Sequence, residues 1–350
     1  MDELPLRAFT PRPALVTPTT HVATPRFPVI DAHNHLGELI PGAPFAGRWP
    51  KRPVGELLEL LDSAGVEAIV NLDGTYGERL RYELDRYRGS DPDRFIVFAG
   101  IEYEAFAREA DIGGYLERQF RDSVAAGAQG LKIWKPLGLT LYDTQGKLVP
   151  VDDRRLDPLW AAAGEYGLPV LIHTADPVAF FQALDASNER WEELAAHPDW
   201  HFYGPQFPSF DTLIEQFARI VERHPTTTFI GAHVGCYAEN LAWVGALLDR
   251  CPNLYIDISA RLAEIGRQPY RARDFFIRYA DRVLFGTDTP PDLAMYQLHY
   301  RFLETRDEYF DYSLLPTPPQ GRWQIYGMDL PADVLERIYR LNAEKVFKRV

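Results

Sequence analysis

The chain has 350 residues, is 46% hydrophobic and 25% charged, and carries a net charge of −13. This is ordinary globular usage with ample material for a core, and so acidic a surface suits neither nucleic acid nor anionic lipid. Two cysteines, Cys236 and Cys251, exclude a disulfide scaffold or a Cys-rich zinc module, and no run approaches the roughly 18 apolar residues of a membrane span.

In chain order, residues 1–27 hold five prolines and lack the basic start and apolar run of a signal peptide. They are expected to lie as an extended arm over the surface of a cytoplasmic protein. A single domain is expected over residues 28–350. Short apolar runs at 29–33, 68–72, 95–101, 130–134, 170–173, 228–233, 254–258 and 283–285 predict strands. Amphipathic segments at 54–63, 78–88, 114–126, 158–166, 212–223, 239–250 and 273–279 predict helices between them, and 332–346 predicts a last one. Strand–helix alternation implies parallel strands joined by crossover helices. Eight such units fill an α/β fold of the (β/α)8 TIM-type barrel kind. A doubly wound open sheet would carry a Gly-rich phosphate turn after its first strand, where this chain reads DAHNHLGE.

Two connections exceed ordinary loop length, 174–211 after the fifth strand and 289–331 after the eighth. Both are rich in aromatics and leave from strand C-terminal ends, the face where barrels build their sites. They are read as lids or pocket walls, or as cover for a neighbouring subunit.

The residues that carry chemistry gather at strand ends. His33 and His35 close the first strand two residues apart, so strand periodicity puts both imidazoles on one face, toward the barrel mouth. The fifth strand ends in His173 (LIHT), the sixth in His233 (AHVG) and the eighth in Asp288 (FGTD). In a closed barrel the eighth strand lies beside the first, so Asp288 is expected to reach the histidine pair, with His173 completing the set from opposite. Three neutral imidazoles and a carboxylate suit one Zn²⁺, with Mn²⁺, Fe²⁺ or Co²⁺ as alternatives. His21, His197, His201, His224 and His299 are expected in surface or structural roles.

Two of only six lysines fall in the fourth strand, GLKIWKP. Lys132 is read as a carboxylated lysine bridging two metals, as an ammonium holding a substrate anion, or as a buried lysine paired with a carboxylate. After the seventh strand, Arg261 is the candidate anchor for a substrate carboxylate; the alternative is an ion pair with Glu264, Asp257 or Asp274. Cys236 reads as a small apolar filler, and no Ser or Cys nucleophile stands with a partnered base.

The ordered set DAHNH, LIH, AHVG and FGTD, with a closing helix LNAEKVF, resembles the amidohydrolase superfamily from about Val29 to the C-terminus. The similarity is greatest to the amidohydrolase-related branch that contains aminocarboxymuconate semialdehyde decarboxylase. The resemblance implies that His33, His35, His173 and Asp288 are metal ligands and that His233 is the catalytic histidine. Trp134 stands where related chains often carry a histidine, and Lys132 where two-metal members carry a bridging carboxylated lysine, so a two-metal site stays open. Members of the superfamily hydrolyse lactones or amides, and others remove CO₂ without an oxidant.

The first expectation is therefore a metal-dependent hydrolase of a small, carboxylate-bearing lactone, ester or amide. A metal-activated water would attack, Asp288 would shuttle its proton, His233 would polarise the carbonyl, and Arg261, Lys132 and Trp134 would hold the substrate. The alternative is a metal-dependent non-oxidative decarboxylase using the same ligands, with a non-catalytic binding barrel third. A small-molecule substrate is expected, with no nucleic acid or membrane partner and with a homodimer as the assembly.

Overall fold

Among the described residues, eight short parallel strands carry the fold: β1 (Val29–Asn34), β2 (Val66–Asn71), β3 (Phe95–Val97), β4 (Leu131–Ile133), β5 (Val170–Ile172), β6 (Phe229–Gly231), β7 (Leu254–Asp257) and β8 (Val283–Leu284). The computed structural model describes residues 4–5, 8–9, 11–37 and 47–348; the remaining positions of the expected arm and the last two of the expected domain lie outside the described residues. Strands β1 to β3 pair in sequence order, and so do β4 to β8. Backbone bonds cross both seams. Ala99 bridges Leu131 between β3 and β4, with Lys132 N–H donating to Ala99 O at 2.7 Å. Ala32 N–H donates to Phe285 O at 2.9 Å between β1 and β8. The chain thus forms the α/β barrel that the alternation predicts, with observed strands shorter than the apolar runs.

Strict alternation sorts the side chains into two layers. Ile30, Ala32, Ala68, Val70, Ile96, Phe98, Leu171, Ile230, Tyr255 and Leu284 fill the barrel interior as one apolar cluster. Their sequence neighbours, such as Val29, Ile69, Val97, Leu131, Val170 and Ile256, face the helices and join the larger cluster between strands and helix layer. Gly130 is required by the inner layer, because a Cβ there would lie 2.3 Å from the ring of Phe98. The floor is closed by the last helical run, Ala332–Glu336, a π turn Arg337–Leu341 and Asn342–Phe347. Its Phe347 meets Phe98 edge-on at 5.9 Å.

The helix ends follow local chemistry. Asp111, Ser209 and Asn240 each accept a first-turn N–H as N-cap, and Gly65, Gly127 and Gly167 end helices in the left-handed region. The predicted helix at 239–250 therefore starts later, at Leu241 behind its Asn240 cap.

The segment 289–331 corrects an expectation. It is not a lid throughout, because it opens with the helix Leu293–Glu304. Tyr296, Tyr300 and Phe302 are wholly buried there, the two tyrosines packed with Phe285, which also meets Tyr339. His299 is buried too and bonds Met295 O. The described part of the arm has neither helix nor strand from 11 to 27 and is tied down at Thr20, which donates twice to Asp307. No helix among the described residues is long and apolar enough to cross a membrane.

Candidate metal centre and active site

The mouth of the barrel holds a row of imidazoles. Rings of His173 and His233 lie 4.5 Å apart, His233 and His33 4.9 Å, and His33 and His35 5.6 Å. Asp288 faces this row. Its Oδ1 lies 3.2 Å from His35 Nε2 and 3.7 Å from His33 Nε2, and its Oδ2 lies 3.7 Å from His233 Nε2. His33, His35 and Asp288 form one tight group of donors, and His33, His233 and Asp257 form another. His173 belongs to neither; its Nε2 lies 3.3 Å from Asp176 Oδ1.

Backbone strain aims these groups. Ala175, His233, Val234, Ala260 and Asp288 all take positive φ just beyond strand ends. Each such non-glycine residue costs on the order of 1–3 kcal/mol, a cost that recurs at functional sites. In β1 the register against β2 slips between Asp31 and Asn34. The slip turns His33 inward directly after the inward Ala32, so the strand presents two successive side chains to the interior.

Each imidazole of the tight groups is fixed from behind. His33 Nδ1 pairs with Asp257 Oδ2 at 2.9 Å, and His35 Nδ1 with Asp73 Oδ1 at 2.7 Å. His233 Nδ1 donates to Ser259 O at 2.9 Å. With Nδ1 carrying the proton, Nε2 of His33 and His233 presents its lone pair to the centre, and an ion bound there would displace the Nε2 proton that Asp288 favours on His35. Sequence reasoning missed Asp73, Asp176 and Ser259 as site residues, and it took Asp257 only for an arginine partner. The signal was available: Asp73 follows the predicted second strand, and Asp257 ends β7, the same strand-end position that singled out the histidines.

Electrostatics follow burial. Burial depresses His233 well below its ordinary range, and burial with Lys132 nearby lowers His33. Burial takes His173 down to about 4. Burial works against protonation of His35 as well, but Asp73 and Asp288 outweigh it and raise the ring to about 9. Burial resists ionisation of Asp288, yet His33, His35 and His233 hold its carboxyl well below the usual range.

Lys132 is fully buried and reaches 3.5 Å from His33 Nε2, with its ammonium 4.9 Å from the ring of Trp134. Burial lowers it to about 8. Trp134 in turn lies 4.8 Å from the ring of His35. Arg261 is 6% exposed, and its guanidinium donates to the backbone carbonyl of Ala260. It makes no ion pair among the described residues. The alternative pairing with Glu264 or Asp257 is thereby corrected: Glu264 holds the buried Arg190, and Asp257 holds His33. The structure brings together His33, His35, His233, Asp288, Lys132 and Trp134, and places His173 beside them across His233.

The donor set fits a divalent ion. Imidazole nitrogens and a carboxylate converge on one space, and buried His173 Nε2 has no well-aligned hydrogen-bond partner among the described residues.

Comparison with known proteins agrees with the geometry. The sequence model of a family described as amidohydrolase matches residues 30–349. A search of curated protein sequences gives no match. Among solved structures, 2,6-dihydroxybenzoate decarboxylase from Rhizobium is 16% identical, with a TM-score of 0.58 over 92% of this chain and 99% of that one. A dihydroxybenzoic acid decarboxylase from Polaromonas, holding manganese and 2-nitroresorcinol, is 15% identical, with a TM-score of 0.58 over 92% and 97%. The 5-carboxyvanillate decarboxylase from Sphingomonas paucimobilis is 14% identical, with a TM-score of 0.56 over 92% and 99%. At such identities the likeness carries the fold. The family match spans nearly the whole barrel and every strand-end residue of the site, and the chain belongs to the amidohydrolase family.

Proposed function

We propose that the protein is a divalent-metal-dependent enzyme that removes CO₂, without an oxidant, from a small carboxylic acid. The observation that carries this reading is Arg261, a buried guanidinium beside His233 with no acidic partner among the described residues. A buried cation left without a counter-charge is costly, and a substrate carboxylate would relieve it. The decarboxylases with similar folds lend further support.

In this reading His33, His35, His173 and Asp288 hold the ion. Zn²⁺ suits the donor set, and manganese is the ion in the Polaromonas neighbour. The bound ion would supply Lewis-acid polarisation of substrate oxygens. Arg261 grips the carboxylate, Lys132 adds a second positive charge, and Trp134 offers a flat face. The reaction breaks the bond from carbon to carboxylate and forms a C–H bond at the same carbon. Asp288 or His233, which face each other across 3.7 Å, would hold the proton delivered there.

Hydrolysis is the second reading, favoured by Asp288 itself. Its carboxylate stands 3.2–3.7 Å from three imidazoles of the row, where it would meet a metal-activated water and take its proton. The two are separated by incubating the metal-loaded chain with a panel of aromatic and vinylic carboxylic acids and, in parallel, with lactones and esters. Release of CO₂ matched by loss of the acid supports decarboxylation. Turnover of lactones or esters alone would overturn it.

A further inference from the structure

Asp176 is a buried carboxylate three residues beyond His173, on the loop that leaves β5. Its Oδ2 takes a 2.6 Å bond from Lys135 Nζ. Lys135 stands at the end of β4, its ammonium 5.4 Å from the ring of Phe202 and 5.7 Å from that of Trp200. The loop turns sharply at Ala175, whose φ of 64° brings Asp176 back over His173. Oδ1 then lies 3.3 Å from His173 Nε2.

That contact is at ion-pair distance but poorly aligned for a hydrogen bond. Nε2 is shut off from solvent and has no well-aligned partner among the described residues. A buried ring nitrogen without a well-aligned bond calls for a further partner. Donor atoms that share one ion at bond lengths of about 2.0–2.2 Å stand roughly 3–3.5 Å apart. The separation of Oδ1 and Nε2 is therefore that of neighbouring ligands. Lys135 occupies Oδ2 and leaves Oδ1 for the centre. The other three imidazoles of the row differ, since each has a carboxylate or carbonyl behind its Nδ1. In His173 the carboxylate sits beside Nε2 instead.

We infer that Asp176 is a further anionic donor of the metal centre, acting with His173 as a lobe across His233 from His33, His35 and Asp288, and that Lys135 is its positioning residue. The inference rests on the metal reading given above. It adds a second carboxylate to the set and moves the centre's preference toward harder ions such as Mn²⁺.

The test uses full-length chain stripped by chelator and then titrated with Zn²⁺ and Mn²⁺ in a calorimeter, beside Asp176→Asn, Asp176→Glu and a His33→Ala/His35→Ala control. Asp176→Asn should weaken binding by roughly 10-fold or more, with a larger loss for Mn²⁺ than for Zn²⁺, and Asp176→Glu should recover part of it. The Co²⁺-loaded variant should absorb more strongly in the visible, as a centre does when it loses a ligand. A merely structural role would not shift that spectrum. Equal affinities and spectra in Asp176→Asn and the unaltered chain would overturn the inference and leave the metal reading intact. If the unaltered chain takes up no ion, the metal reading itself falls. Should Asp176→Asn fail to fold, the Mn²⁺/Zn²⁺ affinity ratio of Asp176→Glu decides, and a ratio equal to that of the unaltered chain would overturn the inference.

Discussion

Asp257 Oδ2 pairs with His33 Nδ1 at 2.9 Å, while its other oxygen accepts the backbone N–H of His233 at 3.0 Å. One carboxylate on β7 thus fixes a ring on β1 and the strained turn after β6. An amide in its place keeps the shape but loses the charge that favours the Nδ1–H tautomer. Asp257→Asn is expected to lower ion affinity by roughly 10–100-fold, read by titration of metal-free protein. Wild-type affinity in that variant would remove Asp257 from the centre's support.

Arg261 separates substrate binding from stability. The guanidinium has no acidic partner among the described residues, so Arg261→Met should leave thermal stability unchanged or raise it slightly. For a carboxylate substrate KM should rise by roughly 10–100-fold, the worth of a charge-assisted hydrogen bond of about 1.5–3 kcal/mol. A variant that melts several degrees lower with KM unchanged would make Arg261 a structural residue instead.

Arg190, fully buried, pairs with Glu193 at 2.7 Å and with Glu264. It joins the segment after β5 to the helix after β7. Glu264→Gln leaves the guanidinium short of counter-charge and should cost about 3 kcal/mol in urea unfolding. Arg190→Met added to it should destabilise by much less than the two single effects summed. Additive losses would show that the pair is not coupled.

Glu83 gives the pH dependence. Burial, with Asp73 nearby, pushes its carboxyl up to about 7 from 4.5. The folded state therefore holds this proton more tightly than the unfolded chain does. The stabilisation is complete below about 4.5 and is lost as pH rises to about 7, flattening beyond. Glu83→Gln, which imitates the protonated form, should match the unaltered chain near pH 5 and exceed it near pH 8 by up to about 3 kcal/mol. Denaturant melts at both pH values measure the difference, and a constant gap between the two chains would contradict the assignment.

Most of the architecture was legible in the sequence. Alternating apolar runs and amphipathic segments place the eight strands in order, since a buried parallel strand must be apolar on both faces. Strand ends marked by His33, His35, His173, His233 and Asp288 locate the mouth, because polar groups so placed need one another. Part of the second long segment was misread as lid. Tyr296, Tyr300 and Phe302 are core, and the aromatic content of the segment alone did not say whether they would pack inward.

What the sequence determined by itself is periodic and local: which residues alternate, which cap helices, and which chemical groups end each strand. Tertiary structure alone decided what those groups face. His33 and His35 face the mouth as the sequence implies, but only the register slip in β1 lets His33 follow the inward Ala32 there. Asp257 serves His33 rather than Arg261 because β7 and β1 come together only when the barrel closes. Asp176 meets Lys135 across 41 positions of sequence, through a left-handed turn at Ala175 that no pattern announces. Periodicity reports the face of an element, whereas a site is made where the faces of different elements converge.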